Sequence, residues 1–151
     1  MIKVINNYLN NNDFFIIKKL IQKDNIPWYL NKDENIFYHG MISKAEINSI
    51  FINIVDPFLK AIEHKKILDL HVQYFSYTKQ INKSKPHIDV NENSRTSILF
   101  LDTNDGYTEI IGGPKVNSQE NRVFSFPSKM PHIHTSTTNE NGRYVINMSY
   151  I

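Results

Sequence analysis

The stretch that decides the fold is SILFLDTNDGYTEI, residues 97–110, in which strand-forming segments lie on both sides of a turn. Ser97 to Leu101 is rich in residues that favour β-strands. Asn104-Asp105-Gly106 is a strong turn signal, and Tyr107 to Ile111 follows as a second strand candidate. The stretch therefore predicts β structure on both sides of a tight turn.

The remainder of the C-terminal part of the chain shows the same pattern. Further strands are predicted at 67–78, 122–126, 133–137 and 144–150, and Gly112-Gly113-Pro114 predicts another turn. Short strands at close spacing, with turn residues between them, are typical of a sandwich or a barrel.

The first 65 residues predict a mixture of elements. Short strands are expected at 2–5, 28–30 and 36–38, with a helix from Asn12 or Asp13 to about Gln22 and a second helix from Ser43 or Ile47 to Glu63. Pro57 predicts a kink or a break in the second helix. The predicted fold class is mainly β with N-terminal helices (α+β). Residues 1–151 are assigned to one domain, in which 1–65 lead into and pack on a β core at 66–151.

The composition excludes several classes of site. The chain has 151 residues, a net charge of +2 and no cysteine, so disulfides, zinc–thiolate sites, iron–sulfur clusters and cysteine nucleophiles are excluded. Any metal must be held by imidazole and oxygen ligands. The sequence has no stripe of basic residues, so it does not predict nucleic-acid binding. The sequence shows no signal-peptide core and no run of about 18 apolar residues, so a cytoplasmic protein without a membrane span is expected.

Two histidine motifs carry the candidate chemistry. In Pro86-His87-Ile88-Asp89, His87 and Asp89 are two residues apart and would point to the same face of a strand. In the second motif, Pro131 to His134, either His132 or His134 could supply a further imidazole. Two histidines and one carboxylate form the facial triad that non-haem iron(II) oxygenases use, because it leaves coordination positions open.

An arginine follows the second motif at a short interval. Arg143 lies 11 residues beyond His132, and a hairpin return could bring it near the same site. A guanidinium group suits a bidentate grip on a carboxylate, because its N–H donors form a planar fork.

Four stretches carry a resemblance to a known family: PHID (86–89), TSILFLDTNDGYTEI (96–110), NRVFSFPSKMPHIH (121–134) and GRYVINMSYI (142–151). Together they resemble the double-stranded β-helix (jelly-roll or cupin-like) barrel of the iron(II)/2-oxoglutarate oxygenases, in the small bacterial and phage branch related to prolyl 4-hydroxylases. IKVINNYLNNNDFFIIKKLI (2–21), with PWYL (27–30) after it, is similar to the strand–helix lead-in of that branch, so the resemblance covers most of the chain.

The resemblance implies a role for each residue of the motifs. His87 and Asp89 would be the proximal metal ligands, and His132 would be the distal ligand. Arg143 would bind the distal carboxylate of 2-oxoglutarate. Tyr77 stands where related hydroxylases often place a tyrosine that helps to hold this co-substrate, and Tyr74 is the alternative.

Two positions depart from the family pattern. His134 stands where similar sequences often have glycine or a small apolar residue, so it is a rival to His132 as ligand, or a neighbour of the ligands or of the substrate. Phe100 stands where some prolyl hydroxylases have a second tyrosine for 2-oxoglutarate. The other histidines, His39, His64 and His71, are expected at the surface or with satisfied hydrogen bonds, and His71 is expected on the outer face of its strand.

The resemblance implies a dioxygenase that uses iron(II), 2-oxoglutarate and O2 and releases succinate and CO2. The expected substrate is an amino acid, a peptidyl residue such as proline, or another small molecule, and the chain would act as a monomer or homodimer. The alternative function is that of a cupin-like metal-binding protein without oxygenase activity. Arg143 discriminates between the two, since a protein of the second kind needs no carboxylate anchor there.

Overall fold

The computed structural model describes residues 1–23 and 26–151. The strands are β1 (Lys3–Ile5), β2 (Tyr29–Asn31), β3 (Ile36–Ser43), β4 (Glu46–Ile47), β5 (Ile67–Phe75), β6 (Arg95–Phe100), β7 (Tyr107–Ile110), β8 (Lys115–Asn117), β9 (Arg122–Pro127), β10 (His132–His134) and β11 (Arg143–Tyr150). The helices are α1 (Asn11–Gln22) and α2 (Asp56–Ala61), and a 3₁₀ turn at Ile52–Val55 leads into α2.

The strands form two antiparallel sheets. The larger sheet has the order β1-β9-β6-β11-β5-β3-β2, with β4 paired to β3, and the smaller sheet has the order β10-β7-β8. Single bridges from Lys83 to Thr135 and from His87 to His132 place the segment after β5 antiparallel to β10. This segment therefore extends the smaller sheet on its β10 side.

Apolar side chains collect in two clusters, because each strand of the larger sheet turns alternate residues to opposite faces. The inner core fills the space between the two sheets and consists of Ile36, Phe75, Ile98, Phe100, Ile110, Val116, Phe124, Phe126 and Val145. The outer core lies between the larger sheet and the helices, and includes Phe14, Ile17, Ile21, Phe58, Leu70, Val72, Leu99, Ile146 and Met148. The larger sheet is thus covered on both faces.

The cap of helix α1 lies two residues before Asn12 and three before Asp13, the two caps that the sequence suggested. Its N-cap is Asn10, whose side-chain oxygen accepts a hydrogen bond of 2.9 Å from the backbone N–H of Asp13. The side chain of Asp13 lies in the first turn, where a negative charge is favourable. Phe14, Ile17 and Ile21 face the outer core at helical spacing, as predicted.

The predicted second helix at 43–63 is wrong over its first half. Lys44 and Ala45 have φ values of 50° and 64°, which turn the chain between β3 and β4. Helix α2 begins only at Asp56, and Pro57 lies in its first turn. A proline is tolerated there because the first backbone N–H groups of a helix have no partner within the helix. Pro57 therefore marks a start rather than a kink.

The predicted fold class is confirmed: the chain is mainly β, with two helices that pack on one face of the larger sheet. The strand β8 was not predicted, because only three residues separate its turn from the next loop. Within the described residues, neither helix has the length and apolar character that a membrane span requires.

Alanine substitutions at two glycines with positive φ separate the cost of backbone strain from the cost of a clash with neighbouring atoms. A Cβ on Gly142 (φ 76°) would lie 2.9 Å from the Phe75 carbonyl oxygen and would overlap the Tyr74 ring, whereas one on Gly112 (φ 73°) would meet nothing within 4 Å. We expect Gly112→Ala to lower the free energy of unfolding by about 1 kcal/mol from the left-handed backbone alone. Gly142→Ala should lower it by about 3 kcal/mol or more, as a clash does. Urea denaturation measures both, and equal losses would contradict the packing argument.

Candidate metal centre

The segment after β5 pairs with β10 and places His87 opposite His132. The backbone N–H of His87 donates to the His132 carbonyl at 3.0 Å, and the N–H of His132 donates back to the His87 carbonyl at 2.9 Å. Residues paired in this way in an antiparallel ladder turn their side chains to the same face. The two imidazole rings accordingly lie with their centroids 4.5 Å apart.

Asp89 joins the two histidines as the sequence spacing predicts. One ligand atom from each of His87, Asp89 and His132 lies within 4.8 Å of the others, and Asp89 Oδ1 is 3.6 Å from His132 Nε2. The His132 side chain is 2% exposed and that of Asp89 is 12% exposed. Three ligand atoms at this spacing, in a sheltered position, can hold one metal ion.

The hydrogen bonds of the two rings leave one nitrogen of each free for a metal. His87 Nδ1 lies 3.0 Å from the Lys85 carbonyl oxygen, and His132 Nδ1 lies 3.0 Å from that of Met130. Each Nδ1–H group therefore donates a hydrogen bond to a carbonyl oxygen. The lone pair of Nε2 is left for a metal. A donor bond from the second nitrogen is the usual support of a metal-ligating histidine, because it fixes the tautomer and the ring orientation.

The carboxylate is oriented from the larger sheet. Thr96, which is fully buried, donates a hydrogen bond of 2.7 Å to Asp89 Oδ2 and lies 3.0 Å from Ser128 Oγ and 3.3 Å from Ser149 Oγ. This leaves Oδ1 to face the histidines. Burial lowers the pKa of His132, and the nearby Asp89 charge opposes that shift only in part. A neutral imidazole, which a metal requires, is thus favoured near pH 7.

His134 lies beside this group but is not part of it. Its residue is 8% exposed, and its Nε2 has no hydrogen-bond partner among the described residues. Glu34 Oε2 is 3.9 Å from that nitrogen, too far for a hydrogen bond, and burial lowers the pKa of His134 to about 2, so no ion pair forms. Of the two histidines that the sequence offered, the geometry groups His132 with His87 and Asp89.

Arg143 is fully buried in the same barrel. Its Nε donates to Ser118 Oγ at 2.7 Å, Nη1 to the Thr135 carbonyl oxygen at 2.9 Å, and Nη2 to Thr108 Oγ1 at 3.1 Å. Its guanidinium carbon lies 4.7 Å from the centroid of the Phe75 ring. The Phe75 ring in turn lies 5.0 Å from the ring of His134. A short chain of contacts thus joins Arg143 to the surroundings of the metal ligands.

The guanidinium lacks a countercharge. Among the described residues it forms no ion pair with a carboxylate, although the charge of Asp102 acts on it from a greater distance. Burial lowers its pKa to about 9, which still leaves it cationic at neutral pH. Gly106 makes room for it, since a Cβ there would lie 2.6 Å from Arg143 Cδ and 2.9 Å from the Ser136 carbonyl oxygen. The turn at 104–106 is therefore shaped around a buried cation.

Among the described residues, neither Tyr77 nor Tyr74 forms a hydrogen bond with Arg143. Tyr77 is 45% exposed and forms a bridge with Thr137. Tyr74 stacks on Tyr144 with ring centroids 4.5 Å apart, on the face of the larger sheet that carries the outer core. Phe100, by contrast, lies 5.5 Å from the Arg143 guanidinium. The Phe100 ring thus packs against the guanidinium of Arg143.

A cavity of about 340 Å³ opens beside the candidate metal ligands. His87 and Asp89 line it together with Asp69, His71 and other residues of β3 and β5. The expected outer-face position of His71 is thus wrong: its Nδ1 lies 2.8 Å from Asp69 Oδ2 inside the cavity. His39 is buried, and both of its ring nitrogens lie 2.7 Å from oxygen partners. Its hydrogen bonds are thus satisfied, as expected.

Comparisons with known proteins agree at the level of the fold. No protein-family model matches the sequence, and no curated protein sequence matches it. Among solved structures, a Pseudomonas putida prolyl-4-hydroxylase is similar with a TM-score of 0.67 at 11% identity, over 99% of this chain and 91% of that chain. A Burkholderia pseudomallei oxidoreductase of the 2OG-Fe(II) oxygenase family has a TM-score of 0.67 at 11% identity, over 99% and 84% of the two chains.

A third similar structure is that of a Trichoplax adhaerens prolyl hydroxylase in complex with a peptide fragment of the hypoxia inducible factor oxygen degradation domain. It has a TM-score of 0.66 at 12% identity, over 99% of this chain and 83% of that chain. At such identities the likeness establishes the fold alone. The described residues thus form a jelly-roll barrel of the kind found in prolyl hydroxylases and 2-oxoglutarate/iron(II) oxygenases.

Proposed function

We propose that this chain is an iron(II)- and 2-oxoglutarate-dependent oxygenase, with His87, Asp89 and His132 as the metal ligands. Two imidazoles and one carboxylate with their ligand atoms within 4.8 Å of one another fit an iron(II) ion that keeps open coordination positions. The Nδ1 hydrogen bonds of both histidines and the bond from Thr96 to Asp89 support the same assignment, because they orient the ligands before a metal arrives.

The observation that carries the proposal is the buried, uncompensated guanidinium of Arg143. A charge without a countercharge inside a protein is strongly unfavourable unless a ligand neutralises it. Its three hydrogen bonds do not use all the N–H donors of a guanidinium, so donors remain for a carboxylate. A cupin-like protein that only bound a metal would have no use for this cation. The donor set fits the distal carboxylate of 2-oxoglutarate.

In the proposed reaction, iron(II) and 2-oxoglutarate supply the chemistry, and the chain positions them. When bound, iron(II) and 2-oxoglutarate activate O2 for hydroxylation of a C–H bond, with conversion of 2-oxoglutarate to succinate and CO2. The chain supplies the positions: His87, Asp89 and His132 hold the metal, and Arg143 orients the co-substrate. The inner core excludes water around Arg143. We propose one oxygenase domain over residues 1–151, acting on an amino acid, a peptidyl residue or another small substrate.

Co-substrate binding at the metal gives the first test. Protein purified without oxygen and loaded with iron(II) should develop a weak visible charge-transfer band when 2-oxoglutarate is added, because a keto acid that chelates iron(II) absorbs there. Succinate added in the same way is the control and should give no band, since it lacks the keto group. One iron bound per chain without a band would favour the cupin-like alternative.

Arg143→Lys tests the carboxylate anchor while keeping the buried positive charge. An ammonium group cannot grip a carboxylate bidentately. A lost hydrogen bond to a charged group contributes about 1.5–3 kcal/mol, so we expect the dissociation constant for 2-oxoglutarate to rise roughly 10- to 100-fold. Titration of the charge-transfer band measures it. Iron(II) affinity should stay unchanged, and the matched variant Arg122→Lys, at a partly exposed arginine of β9, should bind 2-oxoglutarate normally.

Thr96→Val tests whether orientation of Asp89 matters for the metal. Valine has nearly the same shape but cannot donate to Asp89 Oδ2. Loss of such a supporting bond typically weakens metal binding about 10- to 100-fold, and we expect a change of that size in the iron(II) dissociation constant. Competition with a coloured chelator measures it. Thr96→Ser keeps the hydroxyl group and should retain the iron(II) affinity. Equal losses of affinity in both variants would contradict the role of this hydrogen bond.

A further inference from the structure

The cavity beside the metal ligands has the size of a substrate pocket. Its volume of about 340 Å³ lies in the range of ligand sites, roughly 300–1,000 Å³. Its lining comes from the end of β2 and the turn after it, the strands β3 and β5, the segment that carries His87 and Asp89, and His134 of β10. A group bound in this cavity would therefore lie against the proposed metal centre.

The charged residues of the lining are of one sign. Glu34 and Asp69 line the cavity together with the ligand Asp89, and none of the described lining residues is lysine or arginine. The chain as a whole has a net charge of +2, so the acidic lining is not a consequence of its composition. Such a cavity attracts cations and repels anions before any contact is made.

A hydrogen bond orients the Asp69 carboxylate, and Glu34 lies in a turn that a side-chain oxygen stabilises. Asp69 Oδ2 accepts a hydrogen bond from His71 Nδ1 at 2.8 Å, which leaves its other oxygen for a ligand. Glu34 belongs to the turn between β2 and β3, and the side-chain oxygen of Asn31 accepts bonds of 3.1 and 3.4 Å from the backbone N–H groups of Asp33 and Glu34. Their side chains are 37% and 35% exposed respectively, so each can reach a ligand that enters from solvent.

His134 gives an independent indication that a polar ligand belongs here. Its imidazole lines the same cavity, is 8% exposed and has an Nε2 atom with no hydrogen-bond partner among the described residues. Buried polar atoms in native proteins are rarely left without a partner. The nitrogen lies 3.9 Å from Glu34 Oε2, so a ligand N–H group near that carboxylate can reach both atoms.

We propose that the substrate carries a cationic group, an ammonium or a guanidinium, which binds in this cavity with Glu34 and Asp69 as its principal partners. The substrate class is then a basic amino acid or a basic side chain of a peptide, and this inference rests on the proposed function for the reaction at the metal. The filled centre does not oppose the cation. One divalent ion, the Asp89 carboxylate and dianionic 2-oxoglutarate together leave it with a net negative charge.

The test compares probes that differ mainly in side-chain charge. Nα-acetyl-L-arginine amide and Nα-acetyl-L-lysine amide are titrated calorimetrically into the full chain loaded with Zn(II), which supports no turnover, and with saturating 2-oxoglutarate. Their neutral counterparts of similar shape are Nα-acetyl-L-citrulline amide and Nα-acetyl-L-norleucine amide. We expect at least one cationic probe to bind about fivefold or more tightly than its counterpart, because partly exposed ion pairs contribute modestly. Added salt should reduce the difference.

Matched variants test whether Glu34 and Asp69 cause the preference for the cationic probe. Glu34→Gln and Asp69→Asn should each reduce the preference for the cationic probe, whereas Glu46→Gln, on the exposed β4 strand of the same sheet, should leave it unchanged. Equal binding of charged and neutral probes, binding of neither, or a preference that survives both substitutions would overturn the proposal. The charge-transfer band does not depend on these probes. A band without charge preference refutes the substrate class alone, and a preference without a band refutes the oxygenase function alone.

Discussion

The candidate site depends on one pair of backbone hydrogen bonds, those between His87 and His132. They tie the segment after β5 to β10, and β10 is tied on its other side to β7, where His132 lies opposite Ile110. A slip of one residue in either pairing would turn an imidazole to the opposite face of its strand. The candidate metal ligands are therefore fixed by sheet register, and Asp89 follows because it lies two residues beyond His87 on the same face.

The ligand set was predictable from spacing only up to a point. The interval between His87 and Asp89 and the arrangement of His132 and His134 fit extended chain, and extended chain is what the structure has. Residues 132 and 134 point to the same face, however, so periodicity cannot separate them. What separates them is tertiary pairing: His132 lies opposite His87, whereas His134 lies opposite Thr108 and against the Phe75 ring.

The fold was predictable where alternation and turn residues agree, as in residues 97–110. It failed at 43–51, where apolar residues at helical spacing lie in a hairpin and a loop, and only the backbone angles of Lys44 and Ala45 reveal the turn. The strand β5 was predicted, but His71 was expected on its outer face. Helices cover the apolar face of β5, so Asp69 and His71 face the cavity instead, and no local pattern contains that information.

The charges of the barrel are separated in a way that stability alone does not explain. A cation without a countercharge is fully buried at Arg143, and the acidic side chains Glu34 and Asp69 line the open cavity. Contacts run from Arg143 to the Phe75 ring, on to His134 and then to Glu34, so the two regions are joined by neighbouring side chains. Local rules are broken in native proteins mainly at functional sites. Because the opposite charges do not neutralise each other, each region can take a ligand of opposite sign, and the candidate metal ligands lie in the barrel that both regions share.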